Sequence, residues 1–231
     1  MRNFLKTLLL AALLPVGASA TSYNPVADFS TTNNPNGVWS YGYGTPGSVT
    51  LFTYSGSNFA DPNFTYPVTY WAPAVNGFPV LGISPGFNIG TVNMPANELF
   101  MHPGPSSDVM LFFTAPHTGT YNITGAFTRR DTTDGAGDGT TYSILINQMN
   151  LGSISSGLTY GATQPFFGGV FLNAGDVLTF DVNNNRSYFY DSTGLLLDIS
   201  SSSPVPEPSS LALLGTGLLG ITGLVRRRLK A

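Results

Sequence analysis

The chain has 231 residues, of which 9% are charged and 13% aromatic, with 27 Gly, 17 Pro and no Cys. This mix favours strands and turns over helices, and the lack of Cys excludes disulfide staples, thiolate catalysis and Cys-ligated metal. Between residues 21 and 203, three Arg face eleven Asp and Glu, a formal charge of −8 that argues against nucleic acid or anionic lipid headgroups and leaves neutral glycans, cations and other proteins as partners.

Residues 1–20 have the three parts of a secretory signal: Arg2 and Lys6, the apolar run Leu8 to Leu14, then Pro15 and Gly17 before Ala18-Ser19-Ala20. Small side chains at Ala18 and Ala20 suit signal peptidase and predict a mature N-terminus at Thr21. As an anchor the apolar run is far shorter than the ~20 residues that span a bilayer.

Residues 21–203 predict an all-β domain of β-sandwich type. Alternating runs recur between turns at Val49–Tyr54, Val109–Phe113, Tyr121–Phe127, Thr140–Ile146, Val177–Val182 and Gly194–Ile199. Turns are signalled at Pro116–Gly119, Asn173–Asp176 and Asn183–Asn185, where Gly or Asn makes a positive φ cheap. No stretch holds a helical period over three turns, and no internal repeat points to a solenoid or propeller. Residues 21–105 predict shorter strands among loops, with the stronger alternation following.

The segments Leu99–Gly104, Thr114–Tyr121, Gly137–Gly139, Leu172–Asp176 and Asp191–Leu195, preceded by Asp28 and Asn36–Gly42, resemble a jelly-roll module recurrent in exported bacterial proteins and distantly similar to carbohydrate-binding modules. The resemblance implies the fold and carries no binding residues with it.

Residues 204–231 form a tail. A Ser/Pro linker leads into 18 uncharged residues from Pro208 to Val225, which as a helix at ~1.5 Å per residue would reach roughly 27 Å, just enough to span. The basic end, Arg226, Arg227, Arg228 and Lys230, acts as a membrane stop that stays cytoplasmic, so the β domain would face the periplasm. The motif Val205-Pro206-Glu207-Pro208, the apolar stretch and the Arg-rich end resemble the PEP-CTERM sorting signal. That resemblance implies processing by an exosortase near Pro206-Glu207-Pro208, a transient inner-membrane hold, and a host that makes exopolysaccharide.

Several constellations invite chemistry. Gly82-Ile-Ser-Pro-Gly86 spells a nucleophile elbow, but Pro85 lacks the N–H an oxyanion hole needs, so a plain turn is expected. Gly42-Tyr-Gly-Thr-Pro-Gly47 spells a dinucleotide fingerprint, but a strand-like run follows it instead of a helix. His102 and His117 are too few for a histidine metal site, while Glu98 and Asp108 form a candidate acid–base pair for glycoside hydrolysis, with surface roles the favoured reading. Asp131, Asp134 and Asp138, interleaved with Gly, form a candidate calcium loop, weighed against a solvated empty loop. Trp39, Tyr41 and Tyr43 share one face of an extended segment as a candidate glycan platform, weighed against a core stripe.

The expected protein is therefore exported and non-enzymatic, with no catalytic residues and no cofactor beyond a candidate calcium. It would be a cell-envelope or extracellular-matrix component that binds polysaccharide at the cell surface. The alternatives are a secreted carbohydrate-active enzyme using acidic residues and a purely structural matrix protein. A cleft with two carboxylates about 5 to 9 Å apart separates the enzyme from the others.

Overall fold

The computed structural model describes residues 20–133, 137–155 and 159–201. Among these there is no helix. The chain runs through β1 (Thr21–Tyr23), β2 (Trp39–Thr45), β3 (Ser48–Leu51), β4 (Tyr54–Ala60), β5 (Thr65–Ala72), β6 (Val80–Ile83), β7 (Phe87–Ile89) and β8 (Val92–Met94). It continues through β9 (Leu99–His102), β10 (Asp108–Thr114), β11 (Gly119–Arg129), β12 (Thr141–Ile146), β13 (Met149–Ser155), β14 (Thr163–Leu172), β15 (Val177–Asn183) and β16 (Thr193–Ser201).

The first sheet has the order β14-β11-β16-β9-β6-β5-β4, with β1 also on β16, and the second has the order β13-β12-β15-β10-β2-β3. All pairings are antiparallel, and β7 and β8 form a separate hairpin. From β10 onward the chain passes repeatedly between the two sheets, broken only by the β12–β13 hairpin, as a jelly roll requires. Thr21–Ser201 is one compact unit, not two subdomains.

Period-two alternation decides what the core contains. Val109, Leu111 and Phe113 of β10, Leu178, Phe180 and Val182 of β15, and Trp39 and Tyr41 of β2 point inward from the second sheet. They meet Tyr121, Ile123 and Phe127 of β11 and Leu195, Leu197 and Ile199 of β16 from the first. Each such side chain is worth roughly 1.5–3 kcal/mol of burial.

At the β4–β5–β6–β9 end the first sheet is buried on both faces. Trp71, Leu81, Leu99 and Met101 join the main core, while their alternate neighbours Tyr66, Val68, Tyr70, Val80 and Phe100 build a second cluster with Phe59, Val92 and Met94. The β7–β8 hairpin supplies Val92 and Met94, covering that outer face. This second cluster is what creates a cleft.

The Gly42–Gly47 motif is the β2–β3 hairpin. Gly44, at φ +143, could not bear a Cβ without collision with the Ser48 carbonyl, so tight pairing explains the glycine and no phosphate loop is present.

Candidate functional site

A cleft of about 370 Å³ opens beside the second cluster. Phe59, Tyr66, Phe100 and His102 reach it from the outer faces of β4, β5 and β9 beside Val92, and Thr91, Asp131 and Ser192 form a polar wall. Phe64, Phe189 and Tyr190 stand exposed at its rim, Phe189 at 60% exposure.

Local hydrogen bonding sets each rim. Asp61 Oδ1 accepts the N–H groups of Asn63 and Phe64, both at 2.7 Å, closing an Asx-type turn that presents Phe64. Its Oδ2 accepts the Tyr66 hydroxyl at 3.0 Å, so the carboxylate also braces the cleft floor. On the opposite rim, Asn184 Nδ2 donates to the Gly104 carbonyl at 2.7 Å, and the Ser187 N–H donates to the Asn184 carbonyl at 3.1 Å. Tyr188 then packs on Phe78 at 5.5 Å and on Phe189 at 4.6 Å between ring centroids.

Burial governs protonation. His102 donates from Nδ1 to the Pro103 carbonyl at 2.8 Å, and desolvation holds its pKa down to about 4, so at neutral pH Nε2 is an acceptor. Burial raises the Asp131 carboxyl above its ordinary value, opposed by hydrogen bonds from Thr133 and Thr91. Burial first, then Asp61, raises the Tyr66 phenol, which remains a donor. The cleft thus offers apolar rings at the mouth and hydrogen-bonding groups within, the division of labour of a neutral polar ligand site.

The sequence-proposed platform lies elsewhere. Trp39 and Tyr41, at 1% and 0% exposure, belong to the main core, and half-buried Tyr43 stacks on Phe52 at 5.1 Å, so the row faces inward and is no glycan surface. The inward face is fixed by the register with β10, which pairs Leu111 with Tyr41 and Phe113 with Trp39.

Glu98 and Asp108 do not form one catalytic pair, nor are they surface residues. Glu98, buried before β9, accepts two hydrogen bonds from Arg130, through Nε at 2.8 Å and through Nη2. Asp108 opens β10 in the second sheet, accepts Asn183 Nδ2 at 2.6 Å and is hydrogen-bonded to Asp181.

Ser84 lies between two strands with no helix after it, and its Oγ accepts the Gly86 N–H at 2.9 Å, a turn and not an elbow. His117 also sits in a turn, its carbonyl accepting the Tyr121 hydroxyl at 2.7 Å.

Of the acidic loop, Asp131 is buried in the cleft wall and Asp138 is half-buried, while Asp134 lies outside the described residues. Among the described residues no three His, Asp or Glu are arranged to hold a metal, and no helix is long and apolar enough to cross a membrane. Ala18, the 204–231 tail with Val205-Pro206-Glu207-Pro208 and the basic stop are outside the described residues, and Ala20 is exposed at the start of the described chain.

Sequence reasoning missed Asp61, Tyr66, Phe189 and Tyr190. The run Ser187-Tyr-Phe-Tyr-Asp191 carried the available signal: three aromatics in a turn-rich stretch, where burial in a strand is not expected.

Comparison with known proteins assigns the tail. Residues 204–228 match the PEP-CTERM protein-sorting motif. No curated protein matches the chain. Solved structures similar to it include rabbit GITRL, at 16% identity and TM-score 0.29, with 42% of this chain and 74% of that one covered. Another is the Podospora anserina GH26-CBM35 beta-(1,4)-mannanase, at 16% identity and TM-score 0.32, with 55% of this chain but only 26% of that one covered. A third is CBM51 from Clostridium perfringens GH95 in complex with methyl-galactose, at 12% identity and TM-score 0.35, with 78% and 100% covered. At such scores no ligand is inferred from the likeness. The match to residues 204–228 bears out the resemblance of the tail to a PEP-CTERM sorting signal and implies export to the cell surface.

Proposed function

We propose that this protein is a non-enzymatic component of the cell envelope or extracellular matrix that binds neutral polysaccharide through the aromatic-rimmed cleft. Signal peptidase releases it at Thr21, the tail holds it briefly in the inner membrane facing the periplasm, and an exosortase then processes it near Pro206-Glu207-Pro208.

The observation that carries the binding reading is the exposure of Phe64, Phe189 and Tyr190 around a cavity whose inner groups are hydrogen-bonding. Exposed rings cost solvation and stack on the C–H faces of sugars, while Asp61, His102 and Asp131 supply acceptors for hydroxyls. The domain charge of −8 suits an uncharged chain better than an acidic one.

A glycan array probed with the full chain, followed by titration of the best ligand, tests this. Phe189→Ala and Tyr190→Ala should each abolish binding while leaving the melting temperature nearly unchanged, because both rings are exposed. Undiminished binding in both variants would sink the cleft reading, and no retained glycan at all would favour the purely structural matrix protein.

One observation supports a second reading, a carbohydrate-active enzyme: Asp61 and Asp131 line the same cleft, and the Asp131 carboxyl is held above its ordinary pKa by burial, as a general acid requires. Release of reducing ends from a bound glycan, lost in Asp131→Asn, would establish it.

A further inference from the structure

Behind the cleft wall, carboxylate oxygens are buried without hydrogen bonds. Asp191 is 2% exposed and neither of its side-chain oxygens has a partner, and the buried Oδ2 of Asp138 is equally unpartnered. Such atoms are costly unless a proton or a cation meets them. The gap that Asp191 lines with Arg129, Gly139, Thr140 and Ser192 is too narrow for a water molecule, so solvent does not meet Asp191 there.

The surrounding turn is built to place these oxygens. Gly137, at φ +74, lies so close to the Phe189 carbonyl that a Cβ there would stand 2.8 Å from its oxygen, which brings the 137–140 turn against the 186–193 segment. The Ser187 N–H donates to Asp138 Oδ1 at 3.3 Å and Asn185 Nδ2 to the Asp138 carbonyl at 3.2 Å, which leaves Oδ2 as the side-chain atom without a role.

Charge indicates what that role is. Asp191 experiences Asp138 and Asp131 as like charges and Arg129 as an opposing one, so among the described residues three carboxylates against one guanidinium leave −2 when ionised. Neighbouring Glu98 and Arg130 neutralise each other. A charge of −2 presented by oxygen donors alone matches a hard divalent cation, and calcium accepts main-chain carbonyls beside a small number of carboxylates.

We propose that Asp191 and Asp138 are the side-chain ligands of a calcium ion that ties the 137–140 turn to the 186–193 segment. Main-chain carbonyls complete the coordination. The site stands apart from whatever the cleft binds, although the segment it fastens carries Tyr188, Phe189 and Tyr190.

The test is calorimetric titration of CaCl2 into the full chain after chelator treatment, together with thermal melts in CaCl2 and in EGTA. Expected are a saturable heat and a melting temperature raised by calcium, since a ligand that binds only the native state stabilises it by mass action. Both should disappear in Asp191→Asn and persist in Asp181→Asn, whose carboxylate lies in the second sheet. Identical melts in calcium and chelator, with Asp191→Asn more stable than the parent above neutral pH, would overturn the proposal and assign Asp191 a proton. Should Asp191→Asn fail to fold, Asp138→Asn at the half-buried position provides the same comparison.

Discussion

Asp181 offers the sharpest quantitative test of how the fold handles charge. It sits in β15, opposite Met110 of β10 and Ser143 of β12, and is 2% exposed with Oδ1 unpartnered. Desolvation first and the neighbouring Asp108 second push its carboxyl up to about 8, from 3.8 in the unfolded chain. A raised folded pKa means that the native state binds more protons, so stability is full below about pH 4 and is lost as pH rises through about 8. Within that window one proton is worth ~1.4 kcal/mol per pH unit, and complete ionisation costs at most about 6 kcal/mol. Urea unfolding of the full chain and of Asp181→Asn, at half-unit steps across this window, reads the effect of the hydrogen-bonded Asp181–Asp108 pair, because every titrating group outside that pair is common to both. The variant should gain on the parent steadily with pH and then run parallel above pH 8. Parallel curves throughout would show that Asp181 is ionised in the native state, and the argument from burial would fail.

Three further outcomes follow from the packing and the tail. Tyr41→Ala should cost about 3–5 kcal/mol, the range of large aromatic truncations, as read by denaturant unfolding, whereas a loss below about 1 kcal/mol would return Tyr41 to the surface. Arg130→Met leaves Glu98 buried without its partner and should cost about 3–5 kcal/mol, largely recovered in the double variant with Glu98→Gln. Mass spectrometry of the mature protein from its host should show a start at Thr21 and an end close to Glu207, and intact Ala231 on most molecules would refute processing.

The sequence by itself determined the fold class, the inward alternation of β10, β11, β15 and β16, and the sorting tail, because each rests on local chemistry: side-chain period, turn residues, and an ordered motif of Pro-Glu-Pro, apolar run and basic end. It under-read β5 and β14 for an equally physical reason. Pro67 and Pro165 argue against strands when read locally, yet β5 accommodates Pro67 beside the register shift between Ser57 and Phe59, and β14 is an edge strand where Pro165 breaks no outer ladder.

Of the candidate site, sequence reasoning singled out only His102 and Asp131, and neither as part of a cleft. Phe59, Phe64, Tyr66, Phe100, Asp131 and Tyr190 come from five separate stretches, and only the pairing of β9 with β6 and of β6 with β5 brings Tyr66, Phe100 and His102 to one face. Tertiary structure also decided the sign of each aromatic. Trp39 and Tyr41 read in sequence as either a sugar platform or a core stripe and are core, while Phe189 and Tyr190, from a turn-rich stretch, stand at the cleft. Alternation states that neighbouring side chains take opposite faces, but which face meets another sheet is set by partners far along the chain.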